Sequence, residues 1–328
     1  MSNTGFTLSG IAGAAARSAP AFAALKHNLR QTVSMLLALG LCLSGAAAAA
    51  VEQPAGSPRA AAKKAEAAAK FKAATGMAPE DVALRQDWAL DKQLAALQPQ
   101  RPGKVDLYYI GFAGDGKEKV FSNDVRMASV ALGTRYGSDA RSLLLINNTE
   151  TLWNTPIADA RNLQLALQAV AARMDKQQDV LFLFLSSHGA KDHRLSVDFP
   201  PLPLEDLKAE QLKAMLDQSG IRNRVIAVSA CYSGGFLDVL QDDNSLILTA
   251  SARDREARGC GDATQFTTFA ETYFRKSLES GGTMVEAFAK ARKMIEASEK
   301  RSGGKESQPQ IYVGRNIAKL LPKLEAAQ

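Results

Sequence analysis

A run of six large apolar residues, VLFLFL at positions 180–185, is the feature that most constrains this chain. A short run rich in aromatic and aliphatic residues, closed by small residues, is typical of a buried strand. A second run of the same kind, VIAV, occupies positions 225–228. Strands buried on both faces occur in parallel sheets that helices cover on both sides. The two runs therefore predict the centre of a parallel α/β sheet.

Strand-like and helix-like patterns alternate around these runs from residue 104 to the end of the chain. This alternation favours one α/β domain, a three-layer sandwich with a mainly parallel central sheet flanked by helices, over residues 104–328. No repeat and no second domain is evident. The predicted strands cover 105–112, 142–146, 180–185, 225–228, 245–249 and 310–313, and the predicted helices cover 122–136, 158–174, 204–218, 266–277 and 284–296.

The first 50 residues have the order of a signal peptide. Arg17, Lys26 and Arg30 precede an apolar stretch over 33–43, and alanines fill 46–50. This order favours a cleaved leader and a periplasmic or secreted protein. The alternative is an uncleaved anchor at 33–51, which attaches the chain to the inner membrane with the rest outside the cytoplasm, because these nineteen residues carry no charge.

Residues 51–103 form an Ala/Lys/Glu-rich linker that contains helices. A spacer rich in Pro, Gly and Ser opens it, and the stretch 59–74 has strong helix formers but almost no apolar face. The stretch 79–97 has a usable apolar stripe, so we expect this second helix to pack on the core. The segment 99–103 marks the boundary.

Charge and cysteine content limit the classes of function. The formal charge is +6, or +3 without the leader, and no basic block interleaved with aromatic residues indicates nucleic-acid binding. Cys42 belongs to the leader, so the exported part holds Cys231 and Cys260. In an oxidising compartment these two thiols permit one disulfide. The alternative, a reactive thiol at Cys231, is favoured by the residues around it.

Reactive side chains follow both central strands. His188 and Gly189 come directly after the first run, and Cys231 comes shortly after the second. Neighbouring parallel strands bring the loops at their carboxyl ends into one crevice, so the two side chains are expected to meet there. A thiolate is the attacking form of cysteine, and a nearby imidazolium stabilises it. We therefore predict Cys231 as nucleophile, His188 as its base, and the amides of Gly189 and Cys231 as an oxyanion hole.

The segments SSHG at 186–189 and SACYSG at 229–234 resemble the motifs of legumain-type cysteine peptidases, family C13 of the caspase-like clan. The resemblance spans about residues 105–313. It implies a caspase-like sandwich and an endopeptidase that hydrolyses peptide bonds through a thioester. The substrate would be a peptide or protein, with no metal or organic cofactor. A transpeptidase using the same dyad is one alternative, and an inactive scaffold or binding protein is another.

The resemblance also suggests three further site residues. Legumains have an acidic residue two positions before the nucleophile, in the substrate pocket, where this chain has Ser229. Asp262, in a Gly-Asp step similar to one that lines that pocket, is a candidate specificity residue. Asp115 is a candidate for orienting His188 through a hydrogen bond and, with Ser229 and Asp262, a candidate substrate-binding residue. His193 is expected to be a polar loop residue.

Overall fold

The structure, a computed structural model, describes residues 58–261, 263–303 and 305–326. The predicted leader, the predicted anchor at 33–51 and Asp262 lie outside the described residues. Residues 56–328 form one compact unit. No helix in the described part of the chain is long and apolar enough to cross a membrane.

Strands and helices alternate through the described chain, largely as predicted. The strands are β1 (Leu107–Ala113), β2 (Ser142–Ile146), β3 (Val180–Ser186), β4 (Arg194–Leu195), β5 (Leu207–Lys208), β6 (Arg224–Ser229), β7 (Ser245–Thr249) and β8 (Gln310–Val313). The helices are α1 (Pro58–Thr75), α2 (Val82–Ala96), α3 (Lys119–Tyr136), α4 (Ala160–Arg173), α5 (Ala209–Ser219), α6 (Gly234–Leu240), α7 (Thr268–Ala270, continuing as π-helix over Glu271–Leu278), α8 (Met284–Ser302) and α9 (Ile317–Ala326).

Six strands form the central sheet, in the order β2-β1-β3-β6-β7-β8. All neighbours are parallel except β7 and β8, which pair antiparallel. The predicted α/β sandwich with a mainly parallel sheet is therefore confirmed. Its register aligns Ala113 with Ser186, and Ser186 with Ser229, so β1, β3 and β6 end together. The loops after these three strands consequently start from one edge of the sheet.

The run at 180–185 contributes to the core on both faces of the sheet. Phe182 and Phe184 lie in one apolar cluster, where both contact the ring of Phe274 at centroid distances of 5.8 and 4.8 Å. Leu183 and Leu185 lie in the other cluster, together with apolar side chains of α4 and α5. Successive strand residues point to opposite faces. The continuous apolar run thus supplies aromatic rings to one layer and leucines to the other.

The two N-terminal helices are packed against the sandwich. Phe71 of α1 meets Phe199 edge to face at 5.5 Å, and Leu90 of α2 lies in the second core cluster, as expected for this helix. Gln93 accepts a hydrogen bond from the amide of Leu144 at 3.0 Å and donates one to its carbonyl at 3.2 Å. Leu144 lies in β2 at the sheet edge, so the Gln93 side chain satisfies backbone groups that an edge strand leaves open.

The helix predicted over 204–218 is wrong at its start. It begins at Ala209, because Leu207–Lys208 pairs with Arg194–Leu195 as a two-stranded ribbon. The apolar positions at 204 and 207 match helical spacing, but Leu207 pairs in the ribbon and Leu204 precedes it. The ribbon, the short helix α6 and the last helix, α9, are elements that the sequence patterns did not predict.

Candidate active site

The edge where β3 and β6 end brings the two predicted reactive residues together. His188 and Gly189 follow β3, and Cys231 follows β6. The backbones are in close contact: a Cβ placed on Gly189 would overlap the carbonyl oxygen of Cys231 and lie 3.2 Å from the Cβ of Ala230. Only glycine permits this approach, so Gly189 holds the histidine loop against the cysteine.

The Cys231 thiol lies in a setting that favours the thiolate. The amide N–H of Ala257 donates to Sγ at 3.3 Å. The pKa of Cys231 is lowered to about 7, chiefly by a hydrogen bond from Cys260; Ala257 lowers it further, and the positive charge of His188 contributes in the same direction. Burial and the Glu256 carboxylate oppose the shift.

Cys231 and Cys260 are both free thiols, so the disulfide considered for them is not formed in this structure. The hydrogen bond between them shifts the pKa values of the two thiols in opposite directions. The pKa of the Cys260 thiol is raised far above its ordinary value, first by its hydrogen bond to Cys231 and then by burial. When the pair ionises, the first proton is therefore lost from Cys231.

The backbone turn after Cys231 is braced from two sides. Tyr232 has a φ of 57°, in the left-handed region that residues other than glycine adopt at a cost. Its amide donates to the carbonyl of Arg255 at 2.7 Å, and its hydroxyl donates to Glu256 at 2.8 Å. On the other side, Nδ1 of His193 lies 3.1 Å from the Tyr232 carbonyl oxygen. His193, expected to be a polar loop residue, thus contacts the cysteine turn.

The two amides predicted as an oxyanion hole are available. Among the described residues, neither the N–H of Gly189 nor that of Cys231 donates to an acceptor. The loop around Gly189 is fixed by hydrogen bonds on either side, from Ser196 to the His188 carbonyl and from Ala190 to the Arg194 carbonyl, both 2.9 Å. Their role in stabilising an oxyanion stays a prediction.

The His188 ring is held by two groups that precede or begin α3. Nε2 lies 3.1 Å from Oε2 of Glu118, and the ring of Phe121 meets the imidazole edge to face at 4.9 Å. The side chain of His188 is 39% exposed and that of Glu118 25% exposed, so both border solvent. Sequence reasoning missed Glu118. The signal that could have found it is an acidic residue directly before the helix that follows β1, the neighbour of β3.

The hydrogen bond predicted from Asp115 to His188 is wrong, because Glu118 makes it instead. Asp115 is nevertheless close: its carboxylate, Glu118 and His188 each place one atom within 4.8 Å of the others. Asp115 accepts the amide of Lys117 at 2.8 Å. Burial raises the pKa of the Asp115 carboxyl, and the charges of Glu118 and Asp198 act in the same direction. A substrate contact for Asp115 stays a prediction.

Ser229 is part of a buried polar network beneath the site. The residue is 1% exposed, and its hydroxyl lies 2.8 Å from that of Thr267. Thr267 and Ser186 donate to the carboxylate of Asp124, each at 2.7 Å. Complete burial raises the pKa of Asp124 to about 7. The Ser229 hydroxyl is therefore committed to this network, and the predicted substrate contact through it stays untested, as does the one through Asp262.

The fold and the site define an α/β sandwich that presents a thiol and an imidazole on adjacent loops. The model of the peptidase C13 family matches residues 161–319, a range that contains His188 and Cys231. The predicted resemblance to C13 peptidases is thus confirmed. No curated protein matches the chain at a significant level.

One solved structure with a similar fold is the crystal structure of caspase-1 from Spodoptera frugiperda. The sequences are 12% identical, and the alignment covers 66% of this chain and 88% of that chain with a TM-score of 0.45.

Proposed function

We propose that the protein is a cysteine endopeptidase in which Cys231 attacks and His188 transfers the proton. The observation that carries this proposal is the setting of the Cys231 sulfur. It accepts a hydrogen bond from the Ala257 amide, and its backbone lies against Gly189, next to His188. A thiol with a pKa of about 7 is substantially ionised at neutral pH, which is what a nucleophilic cysteine requires.

The reaction follows from these groups. The Cys231 thiolate attacks the carbonyl carbon of the scissile peptide bond, and the oxygen becomes negatively charged. The unpaired amides of Gly189 and Cys231 are the donors for that oxygen. His188 gives its proton to the leaving amine as the C–N bond breaks, which leaves a thioester on Cys231. A water molecule, whose proton returns to His188, then attacks the thioester and releases the acid.

Glu118 is a positioning residue in this scheme. A carboxylate that bonds one imidazole nitrogen fixes the ring and stabilises its protonated form, while the other nitrogen remains for the reaction. Phe121 restricts the ring from its edge at 4.9 Å. The imidazolium formed beside the thiolate is therefore held between a carboxylate and the sulfur.

The leader predicted at 1–50 supports an exported enzyme, and we propose a location outside the cytoplasm. N-terminal sequencing of the mature protein tests this separately: a start near Val51 supports cleavage, and an intact N-terminus supports an anchor at 33–51. The transpeptidase alternative differs only in the acceptor, because an amine instead of water would then attack the thioester.

The test is cleavage of a peptide library, followed by mass spectrometry, with an added amine such as glycinamide to reveal transfer. Wild type should cleave, Cys231→Ala should not, and His188→Ala should lose about 10²–10⁴-fold in rate. Lys191→Ala, an exposed residue of the same loop, is the matched control and should retain full activity. Equal cleavage by wild type and Cys231→Ala would refute the proposal. No cleavage by folded wild type, with slow labelling of Cys231 that does not depend on His188, would favour the inactive scaffold.

A further inference from the structure

Three side chains that can bind a metal ion converge on one side of His188. Asp115, Glu118 and His188 each offer one ligand atom, and these atoms all lie within 4.8 Å of one another. The Glu118 oxygen and the His188 nitrogen are already 3.1 Å apart. Two ligands on a tetrahedral ion with bonds of about 2.0–2.1 Å lie about 3.3 Å from each other. This pair therefore has nearly the spacing that a bound ion requires.

The third residue, Asp115, has an unsatisfied oxygen in this cluster. Asp115 is 3% exposed, and its Oδ1 accepts the amide of Lys117. No described residue donates a hydrogen bond to Oδ2. Oδ2 has no donor from the described protein and is not sealed from solvent, so it is open to bind water or a cation. Asp115 is fixed by burial, whereas Glu118 and His188 border solvent and have room to move toward it.

The charges around the cluster also favour a cation. Asp198 lies next to it and pairs through a short contact with the ammonium of Lys117. Asp198 forms a backbone bridge with Asp115, so the chain brings three carboxylates close together here. The positive charge of Lys117 interacts with all three carboxylates, so these four groups together have a formal charge of minus two.

We propose that Asp115, Glu118 and His188 form a zinc site that switches the peptidase off. An imidazole and two carboxylates suit Zn²⁺, which takes nitrogen and oxygen ligands in four-coordinate sites, and water would occupy the fourth position. Ca²⁺ and Mg²⁺ prefer shells made of oxygen alone. The inhibition rests on the proposed function. Zinc on Nε2, the nitrogen that faces Glu118, leaves the ring's hydrogen on the other nitrogen, which then has no electron pair with which to take up the proton.

Zinc binding is measured on the full protein, freed of metal with a chelator, by competition with a chromophoric zinc indicator. Wild type should bind one Zn²⁺, and a double variant, Cys231→Ser with Cys260→Ser, should bind it equally well because no thiol is a ligand. Asp115→Asn and Glu118→Gln should each weaken binding more than about tenfold. Asp192→Asn, which changes an exposed residue of the loop after β3, is the control and should bind as wild type does. X-ray absorption should show only nitrogen and oxygen near 2.0–2.1 Å around the zinc.

Two results would overturn the site: loss of binding in the double serine variant, with sulfur near 2.3 Å, or unchanged binding in both Asp115→Asn and Glu118→Gln. Because Asp115 is buried, thermal melting must show that its variant folds; Glu118 is partly exposed and provides the second test. Cleavage assays with chelator and with zinc separate the two proposals. Activity in chelator that zinc does not inhibit contradicts the zinc site alone. Zinc binding without any cleavage in chelator contradicts the peptidase proposal alone.

Discussion

Replacing Cys260 with alanine should raise the pKa of the Cys231 thiol. The hydrogen bond from Cys260 is the largest cause of the present shift, from 9.0 to about 7. Three groups lower this pKa, and burial opposes them, so the lowering contributions together exceed the net shift. The largest of the three is then worth at least roughly 0.7 of a pKa unit. At pH 7 the thiolate fraction should fall from about one half to about one sixth or less.

The assay is the rate of alkylation of Cys231 by iodoacetamide between pH 5 and pH 10, with peptide mapping to separate Cys231 from Cys260. The midpoint of the pH profile is the informative quantity. A single rate at pH 7 is not, because a thiolate of higher pKa is also the better nucleophile and partly compensates for its smaller fraction. The midpoint should lie near pH 7 for wild type and move upward by at least roughly 0.7 for Cys260→Ala.

Two matched variants sharpen this test. Cys260→Ser keeps an O–H donor at the same position, so its midpoint should lie between those of wild type and Cys260→Ala. His188→Ala should move the midpoint less than Cys260→Ala, because the charge of His188 is the smallest of the contributions that lower the pKa. An unchanged midpoint in Cys260→Ala, or a larger rise in His188→Ala, would refute the reasoning and assign the thiolate to the imidazolium instead.

Two further changes test the packing beneath the site. Gly189→Ala should abolish cleavage and slow alkylation of Cys231, because the new Cβ overlaps the Cys231 carbonyl oxygen; Gly261→Ala, where nothing lies within 4 Å, should leave both rates intact. Asp124→Asn should flatten the pH dependence of stability, measured by denaturant unfolding. Burial raises the folded-state pKa of Asp124 to about 7, so the folded protein binds the proton more tightly than the unfolded chain. This group therefore destabilises the fold as pH rises from about 4 to about 7, by up to about 4 kcal/mol, and Asn should remove that slope. An equal slope in wild type and Asp124→Asn would contradict this.

The two loops that carry His188 and Cys231 were predictable from the sequence. The apolar runs before His188 and Cys231 identify two buried strands, and parallel pairing then requires their following loops to share an edge. The structure has this arrangement, with Ser186 and Ser229 in register. This inference uses only each strand and the loop that directly follows it.

The groups that tune these residues come from other loops, and their placement depends on tertiary packing. Glu118 follows β1, more than sixty positions before the histidine that it contacts. Cys260 reaches Cys231 only because the segment after β7 folds back, where the Arg255 carbonyl accepts the Tyr232 amide and the Arg258 carbonyl accepts the Thr268 amide. Short motifs carry no information about such contacts.

Ser229 is a second residue whose contacts the sequence motif does not reveal. Its position two residues before the nucleophile suggested a place in the substrate pocket, but the pleat of β6 and the approach of Thr267 decide where the hydroxyl is bound. Asp124, an acidic residue inside α3, is the sequence sign that a buried polar group needs partners. Two hydroxyls and one amide donate to its carboxylate, and the Ser229 hydroxyl bonds one of those hydroxyls. A buried carboxylate of this kind is satisfied only by the assembled fold.

The strand order explains why the acidic and thiol groups do not interfere with each other. Reading across the sheet, β1 is followed by β3, β6 and β7, and their loops carry Glu118, His188, Cys231 and Cys260 in that order. The loop that carries the imidazole therefore lies between the loop that carries Glu118 and the loop that carries Cys231. A carboxylate beside the thiol would raise its pKa, as exposed Glu256 does to a small extent. With β1 and β3 exchanged, the Glu118 loop would lie next to the Cys231 loop and its carboxylate would oppose ionisation of the thiol. The order of strands in the sheet, and not the set of side chains alone, therefore makes a neutral-pH thiolate attainable.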